Sequence, residues 1–414
     1  MLNKFKPLAV TVIAAGILCS CSQDTKEFQE EEMLPMATQP SSSNIIEGQY
    51  IVVFNTAVTG DASSKFPDSY SKAQEAVASK ARQLLKAASV ADAEVINVYS
   101  KALNGVTLKL SLEDVEKLKG KKEIAFIEED KVIALAPPCG TPNGVPCDSN
   151  PGDGGSTGGQ ETPYGVLRVN GVTSYSGTGV AWIIDSGIDL DHPDLKVDAS
   201  RGFNAFTSGR DGRSLDDGNG HGTHVAGTIA ALNNNIGVVG IAPGATVIPV
   251  KVLDSRGSGS YSGVIAGVDF VAAKGKSGDV ANMSLGGPVS QALDDAVVAA
   301  GKAGIKFTLA AGNESDDANN HSPARANGIN IYTISAMDSN DEWAYFSNYS
   351  NPPVDYAAPG VAVKSTWKDG GYNTISGTSM ASPHAAGVLL LGNASTQGNV
   401  IGDPDGNPDP AIVH

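Results

Sequence analysis

Three side chains far apart along the chain have the types needed for nucleophilic catalysis: Ser379, His221 and Asp185. Ser379 lies in Asn373-Thr374-Ile375-Ser376-Gly377-Thr378-Ser379-Met380-Ala381-Ser382-Pro383-His384, where Gly377 permits a tight turn and residues 380–391 read as an apolar helix. A hydroxyl at a helix N-terminus meets unpaired backbone N–H groups and the positive end of the macrodipole, which favour developing negative charge. A serine alone is a poor nucleophile, and without a base and an orienting acid this one would be an N-cap. His221 opens a second helical stretch in Asp217-Gly218-Asn219-Gly220-His221-Gly222-Thr223-His224, among glycines that allow close backbone approach. Asp185 closes the apolar run 180–184, where a carboxylate can also serve as a turn cap. Taken together they supply acid, base and nucleophile: the carboxylate holds the imidazole in its proton-accepting tautomer, and the imidazole deprotonates the hydroxyl. His224, one turn past His221, is read as a packed side chain without such a role.

Positioning these groups requires a rigid frame. Short apolar runs at 180–184, 246–252, 280–285, 306–311 and 329–334 alternate with helical stretches at 223–232, 261–273 and 290–303. Apolar strands flanked by helices predict an α/β fold, a mostly parallel central sheet with helices on both faces, whose sites lie at the carboxyl ends of the strands.

With all three motifs and their flanks in this order, residues 160–391 resemble the subtilisin-like serine proteases (peptidase family S8, including proteinase K), whose triad runs Asp, His, Ser. The resemblance implies further roles. Asn313, in Leu309-Ala310-Ala311-Gly312-Asn313, matches the side chain that donates to the oxyanion together with the nucleophile's own N–H. Ser284, Leu285, Gly286 and Ala310, Ala311, Gly312 match the two segments lining the primary substrate pocket; Gly257, Ser258 and Gly259 match the edge that pairs with an extended peptide. The Asn-rich stretch 231–238 resembles the family's calcium loop. It would bind Ca2+ through the Asn234 side chain and the carbonyls of Leu232, Ile236 and Val238, with Asp194 and Gln160 completing an all-oxygen set suited to a structural calcium.

Upstream, residues 45–136 read as a small α+β unit. Its Tyr50-Ile51-Val52-Val53-Phe54 and Phe126-Ile127-Glu128-Glu129-Asp130 resemble the inhibitor-type propeptide of the same proteases, which implies an autoprocessed proenzyme with its own propeptide as intramolecular inhibitor. The stretch 137–159 is a Gly/Pro-rich linker, where Cys139 and Cys147 suit a disulfide in an exported chain. Residues 1–21 carry Lys4, Lys6 and a short apolar core, as in a signal peptide. They end in Leu18-Cys19-Ser20-Cys21, which resembles a lipobox with Cys21 as the lipidated residue. A polar tether, 22–44, would follow, making the lipid the sole membrane anchor. The expected localisation is therefore the cell envelope or, after processing, the medium, and the expected state is a monomer. The peptidase-like region fills 160–414.

The net charge of −16 over 414 residues leaves no basic stripe for phosphates, so nucleic acid is not an expected partner. After residue 391 the usual further helix and strand of the family are missing, and 392–414 with its Asp/Pro/Gly-rich centre is expected as loop. Two other readings remain open at this point. An esterase of the α/β-hydrolase type would need a suitable acid and His after Ser379, and only His384 and His414 follow. A catalytically silent, protease-like binding module would usually lack a triad or oxyanion residue.

Overall fold

The computed structural model describes residues 44–135 and 159–414. The expectations for Cys21, Cys139 and Cys147 lie outside the described residues, as do the signal peptide, all but the last residue of the tether, and all but the last residue of the linker. Among the described residues no helix is long and apolar enough to cross a membrane.

Nine strands form the large sheet, in the order Ser395–Asn399, Pro410–Val413, Val354–Pro359, Ile331–Met337, Lys306–Ala310, Val280–Met283, Ala181–Asp185, Val247–Lys251, Phe203–Asn204. All pairs are parallel except the outermost, Ser395–Asn399 with Pro410–Val413. The central strands, from Lys306–Ala310 to Val247–Lys251, are largely apolar because both faces are covered. Trp182 and Ile184 point into a core shared with the helices Tyr261–Lys274 and Gln291–Lys302. Ala181 and Ile183 face the opposite core, shared with His221–Ala230 and Thr378–Leu391. The parallel register then sets the site. Ile183 pairs with Asn282 and Met283 with Leu309. Continued by a residue or two, this places Asp185, Ser284 and Ala310 level at one edge, the carboxyl ends of their strands.

The tail departs from the loop expected of it. Ser395–Asn399 and Pro410–Val413 form a hairpin, and the latter strand extends the parallel sheet with Ala411 opposite Ala357. Three apolar residues behind an Asp/Pro/Gly-rich turn give too little local signal for a strand. Burial supplies it, since Ala411, Ile412 and Val413 pack into the interior. A second hairpin, Val363–Trp367 with Gly371–Ile375, also lacks a clear pattern in the sequence.

The N-terminal described part is an antiparallel sheet ordered Glu94–Tyr99, Gly105–Lys109, Ile45–Phe54, Ile124–Ala134, with Ser258–Ser260 of the later part as its fifth strand. The helix Tyr70–Ala87 starts at Ser69, whose hydroxyl accepts from Lys72 N–H, and packs Val77, Ala81 and Leu85 under the sheet. The strand Ile124–Ala134 runs four residues beyond the stretch 126–130 singled out in the sequence because its last partner is distant in sequence: Ile133, opposite Gly259, is buried in the core under Tyr261–Lys274.

Three carboxylates fasten the two parts together. Asp269 accepts backbone N–H bonds from Ser100, Lys101 and Ala102 at 2.7–3.1 Å and the Tyr70 hydroxyl at 2.8 Å. Asp130 accepts Ser262 N–H (3.0 Å), and Glu128 accepts Ala292 N–H (3.1 Å), each in the first turn of a helix whose N–H groups have no partner of their own. The described residues accordingly form one compact unit.

If the C-terminal strand belongs to the core, Ile412→Ala should cost about 2–4 kcal/mol, the range for emptying a buried aliphatic site. The shift in the denaturant midpoint of the Ser379→Ala chain measures it; a loss below about 0.5 kcal/mol, typical of surface positions, would return the tail to the status of a loop.

Candidate active site

Asp185 ends its strand fully buried, and both of its oxygens lie 2.9 Å from His221 Nδ1. One oxygen also accepts Ser186 N–H at 2.7 Å, which fixes the carboxylate's orientation. His221 is the first residue of its helix, and Gly220 before it adopts a left-handed φ of 112°. Gly222 is needed for proximity: a Cβ there would stand 2.1 Å from the Gly187 carbonyl oxygen and 3.2 Å from Asp185 Cβ. Burial alone would pull the imidazole pKa down, but the Asp185 charge and hydrogen bond, with Asp217 beyond, carry it above its ordinary 6.5. With its Nδ1 proton directed at Asp185, the ring presents an unprotonated Nε2.

Ser379 is the second residue of its helix, after Gly377 at φ 155°. Its hydroxyl donates to the Ser284 carbonyl at 3.2 Å, and its own carbonyl accepts the Ser284 hydroxyl at 2.7 Å. Among the described residues no hydrogen bond joins Ser379 to His221; rotation about χ1 redirects the hydroxyl, and such bonds often tighten only in the reactive complex. The helices carrying His221 and Ser379 pack against each other.

Asn313 Oδ1 accepts both the N–H and the hydroxyl of Thr378, at 2.8 and 2.9 Å. The backbone donor fixes which way the amide faces, so Nδ2 is turned away from Thr378, toward the space beside Gly377. Thr378 N–H is committed to Asn313 and Met380 N–H to the Gly377 carbonyl, while no hydrogen bond engages Ser379 N–H among the described residues. Two donors therefore remain beside the hydroxyl.

A cavity of about 110 Å³ adjoins Ser379, walled by Ser284, Leu285, Gly286 and by Ala310, Ala311, Gly312. The chain's own Ala134 and Leu135 lie at it. Val132, Ile133 and Ala134 pair with Ser260, Gly259 and Ser258, and Leu135 N–H donates to the Gly257 carbonyl at 2.9 Å. A Cβ on Gly259 would meet the Val252 carbonyl at 2.2 Å, so only glycine fits that edge. Glu314, His321 and Ala324 also line the cavity and were not among the residues expected from sequence. Glu314, directly after Asn313, was within reach of that reading; His321 and Ala324 arrive from a separate loop with no local signal.

At the Asn-rich loop, oxygens converge on one point. Gln160 Nε2 donates to the carbonyls of Leu232 (2.5 Å) and Val238 (3.1 Å) and lies 3.4 Å from Asn234 Oδ1. Asp194, fully buried, accepts from Asn234 Nδ2, Val238 N–H and the Tyr372 hydroxyl. Burial pushes its carboxyl up, only partly offset by those donors. A ring of acceptors focused on an amide donor is also a ring able to face a cation, so these residues fit the hard-ion ligand type. Ile236 donates its N–H to Asn234 Oδ1 and is half-exposed. Among the described residues no three His, Cys, Asp or Glu side chains cluster in the way a zinc-type site would need.

Three further histidines, His224, His384 and His414, are committed elsewhere. Burial draws His224 down to about 3 and His384 down to about 4; their ring nitrogens bond the Val363 and Met380 carbonyls. His414 Nδ1 bonds the Gly392 carbonyl. Neither His384 nor His414 is placed to serve Ser379 in the esterase order.

Comparison with known proteins agrees with this geometry. The profile of the Subtilase family matches residues 176–396, and that of Peptidase inhibitor I9 matches residues 49–136. The chain is 35% identical over 393 residues to the extracellular serine proteinase of Thermus sp. (strain Rt41A), covering 93% of this chain and 88% of that protein. It is 34% identical over 365 residues to subtilisin E of Bacillus subtilis (strain 168), covering 86% and 83%. Against alkaline serine exoprotease A of Vibrio alginolyticus it is 37% identical over 381 residues, 89% of this chain, and spans 65% of that longer relative. Among solved structures, a cold-adapted subtilisin-like serine proteinase aligns with TM-score 0.52 and 38% identity, over 60% of this chain and 96% of the other.

With His221 expected as the base, the pH dependence follows from it. A base must be unprotonated, so activity is present above the folded pKa and lost as pH falls through it. Because that pKa is raised, the acid limb of kcat/KM should lie above pH 6.5. Asp185→Asn removes the charge that raises it, and should move the limb to lower pH while cutting kcat by about 10⁴, as for the equivalent change in a serine protease of another fold. A limb that stays in place in the variant would detach Asp185 from the titration.

Proposed function

The chain belongs to the subtilase family and is a serine endopeptidase, and on that premise we propose that it cuts extended polypeptides through Asp185, His221 and Ser379. The contact of both Asp185 oxygens with His221 Nδ1 at 2.9 Å carries this reading. Ser379 Oγ attacks the substrate carbonyl carbon and its proton passes to His221 Nε2. The tetrahedral alkoxide takes hydrogen bonds from Asn313 Nδ2 and Ser379 N–H. As it collapses, the C–N bond breaks and the amine leaves with the proton from His221. Water, deprotonated by the same imidazole, then hydrolyses the acyl-enzyme and restores the hydroxyl. Substrate would pair with Gly257, Ser258 and Gly259 as residues 132–135 do, which calls for unfolded or flexible chain.

The inhibitor-type domain implies an intramolecular inhibitor, and its final strand beside Ser379 supports maturation by the enzyme on itself near the end of 45–136. Export, with lipidation at Cys21 or release into the medium, and the division of the chain at 21, 44, 136 and 159 belong to the same proposal, as does a monomeric state. The alternative, a catalytically silent binding module, draws support only from the Ser379 hydroxyl resting on the Ser284 carbonyl. Labelling by a serine-directed fluorophosphonate should be seen with the unmodified chain and vanish in Ser379→Ala, which should also stay uncut. A folded, unmodified enzyme that neither labels nor degrades casein would leave the binding module standing.

Calcium is the structural ion proposed, held by Asp194, the Gln160 and Asn234 side chains and the carbonyls of Leu232, Ile236 and Val238. Bound there it would supply positive charge to the buried Asp194 and tie the segment at Gln160 to the loop. Already without it, Glu161 N–H bonds the Gly237 carbonyl and Val239 N–H the Glu161 carbonyl. Excess chelator should therefore lower the melting temperature and hasten autolysis. An unchanged melting curve would count against the ion.

A further inference from the structure

We propose, resting on the endopeptidase reading above, that Asn282 is a positioning residue for the nucleophile, holding the Ser379 carbonyl through the Ser284 hydroxyl and the following turn through Ser382. Asn282 stands inside the strand Val280–Met283, opposite Ile183 on one neighbouring strand and Thr308 on the other, and is wholly buried. A polar side chain is out of pattern in a strand covered on both faces, whose other residues are Val, Ala and Met. Its amide is turned to the helix Thr378–Leu391, which carries Ser379.

The helix needs such a partner because of its own sequence. Pro383 lies inside it, four residues after Ser379. Proline has no N–H to return to the carbonyl four residues before it, and its ring crowds that carbonyl. The group left without a helical partner is therefore the carbonyl of the nucleophile. Ser284 Oγ donates to it at 2.7 Å. Asn282 Nδ2 donates in turn to Ser284 Oγ at 2.8 Å, and Asn282 Oδ1 accepts the hydroxyls of Ser382 (2.8 Å) and Thr308 (3.0 Å).

The direction of each bond follows from the groups themselves. A carbonyl only accepts, so the Ser284 proton is spent on Ser379, and the Ser284 oxygen can only accept from Asn282. The amide must then turn Nδ2 to Ser284 and Oδ1 to Ser382 and Thr308, whose hydroxyls both donate. Ser284, Thr308 and Ser382 are as buried as Asn282, and in a buried chain each bond polarises the next. Ser379 is held from both sides: Asn313 takes Thr378 N–H before it, and Ser284 takes its own carbonyl. Its N–H and hydroxyl, the two groups that the proposed reaction uses, sit between these anchors. An amide that only satisfied the hydroxyls around it would support stability and leave turnover alone.

The test uses a peptide anilide and enzyme matured from the full chain, with active sites counted by fluorophosphonate titration. Asn282→Ala and Ser284→Ala should each lower kcat by about ten-fold or more, the scale of a small misplacement of reacting groups. In Asn282→Ala, KM should stay within about two-fold, since no contact with substrate is removed. Its acid limb should not move, because His221 keeps its partner. The double variant should be no slower than the slower single one, because both substitutions cut the same link. Thr308→Val removes a donor to the same amide but leaves Nδ2 on Ser284. It should lower the melting temperature and keep kcat within about two-fold. Should Asn282→Ala fail to accumulate, Ser284→Ala, which leaves Asn282 and its two hydroxyl donors in place, carries the expectation alone. Unchanged kcat in the single variants, losses that multiply in the double, or an equal loss in Thr308→Val would overturn the positioning role alone. An unmodified enzyme that neither labels nor cleaves the anilide would overturn the endopeptidase reading and this inference together.

Discussion

Four helices begin with backbone N–H groups that lack partners within the helix, and much of the function is arranged around how those groups are answered. At Thr378–Leu391 the first N–H is taken by Asn313 Oδ1, and the next, that of Ser379, is uncommitted beside the hydroxyl. At His221–Ala230 the N–H groups of Gly222 and Thr223 go to the Ser186 hydroxyl and Asp217, which seat the imidazole against Asp185. At Tyr261–Lys274 and Gln291–Lys302, Asp130 and Glu128 of the inhibitor-type part supply the anion. The same electrostatic need is thus met at two helices around the proposed catalytic side chains and at two others by carboxylates of the inhibitor-type part.

Burial divides the ionisable groups by what they are able to do. His221 and His224 sit one turn apart on one helix, both enclosed, yet they move in opposite directions from the ordinary imidazole value. The difference is the partner: a carboxylate against the first, a carbonyl against the second. Lys251, buried at 1% exposure, holds the same region from below, bonding the carbonyls of Ser186 and Asp216 and lying 3.3 Å from Asp211. The polar interior is therefore a support for one pair.

What could be read from the sequence follows from how local each signal is. Asp185, His221, Ser379 and Asn313 stand out because each sits where an apolar period gives way to glycines, a pattern contained within a dozen residues. The strands 181–185, 247–251, 280–283 and 306–310 are legible for the same reason, being apolar on both faces. The strand Pro410–Val413 is not, because its burial depends on Val354–Pro359, and neither is the extension of Ile124–Ala134, whose partner is Ser258–Ser260. His321 escapes notice because a lone histidine in a polar loop says nothing until the fold sets it beside Glu314. The hydroxyl of Ser379 facing the Ser284 carbonyl is a rotamer choice, which no residue pattern encodes.

On the proposed function, inhibition and substrate binding reduce to competition for one short edge. Ser258–Ser260 is three residues long, with Gly257 before it and Gly259 at its centre, and among the described residues its one pairing partner is Ile124–Ala134. An edge so small contributes few hydrogen bonds, each worth only about 1 kcal/mol net, so strand pairing by itself would hold a peptide weakly. The inhibitor-type part makes up the difference elsewhere, through Asp269 gathering three N–H groups and a hydroxyl, through two carboxylates at helix starts, and through Ile133 in the core. A passing substrate would have the edge and the pocket alone. Its residence would be correspondingly brief, as turnover requires, while the segment built into the chain would remain long enough to keep the cleft covered.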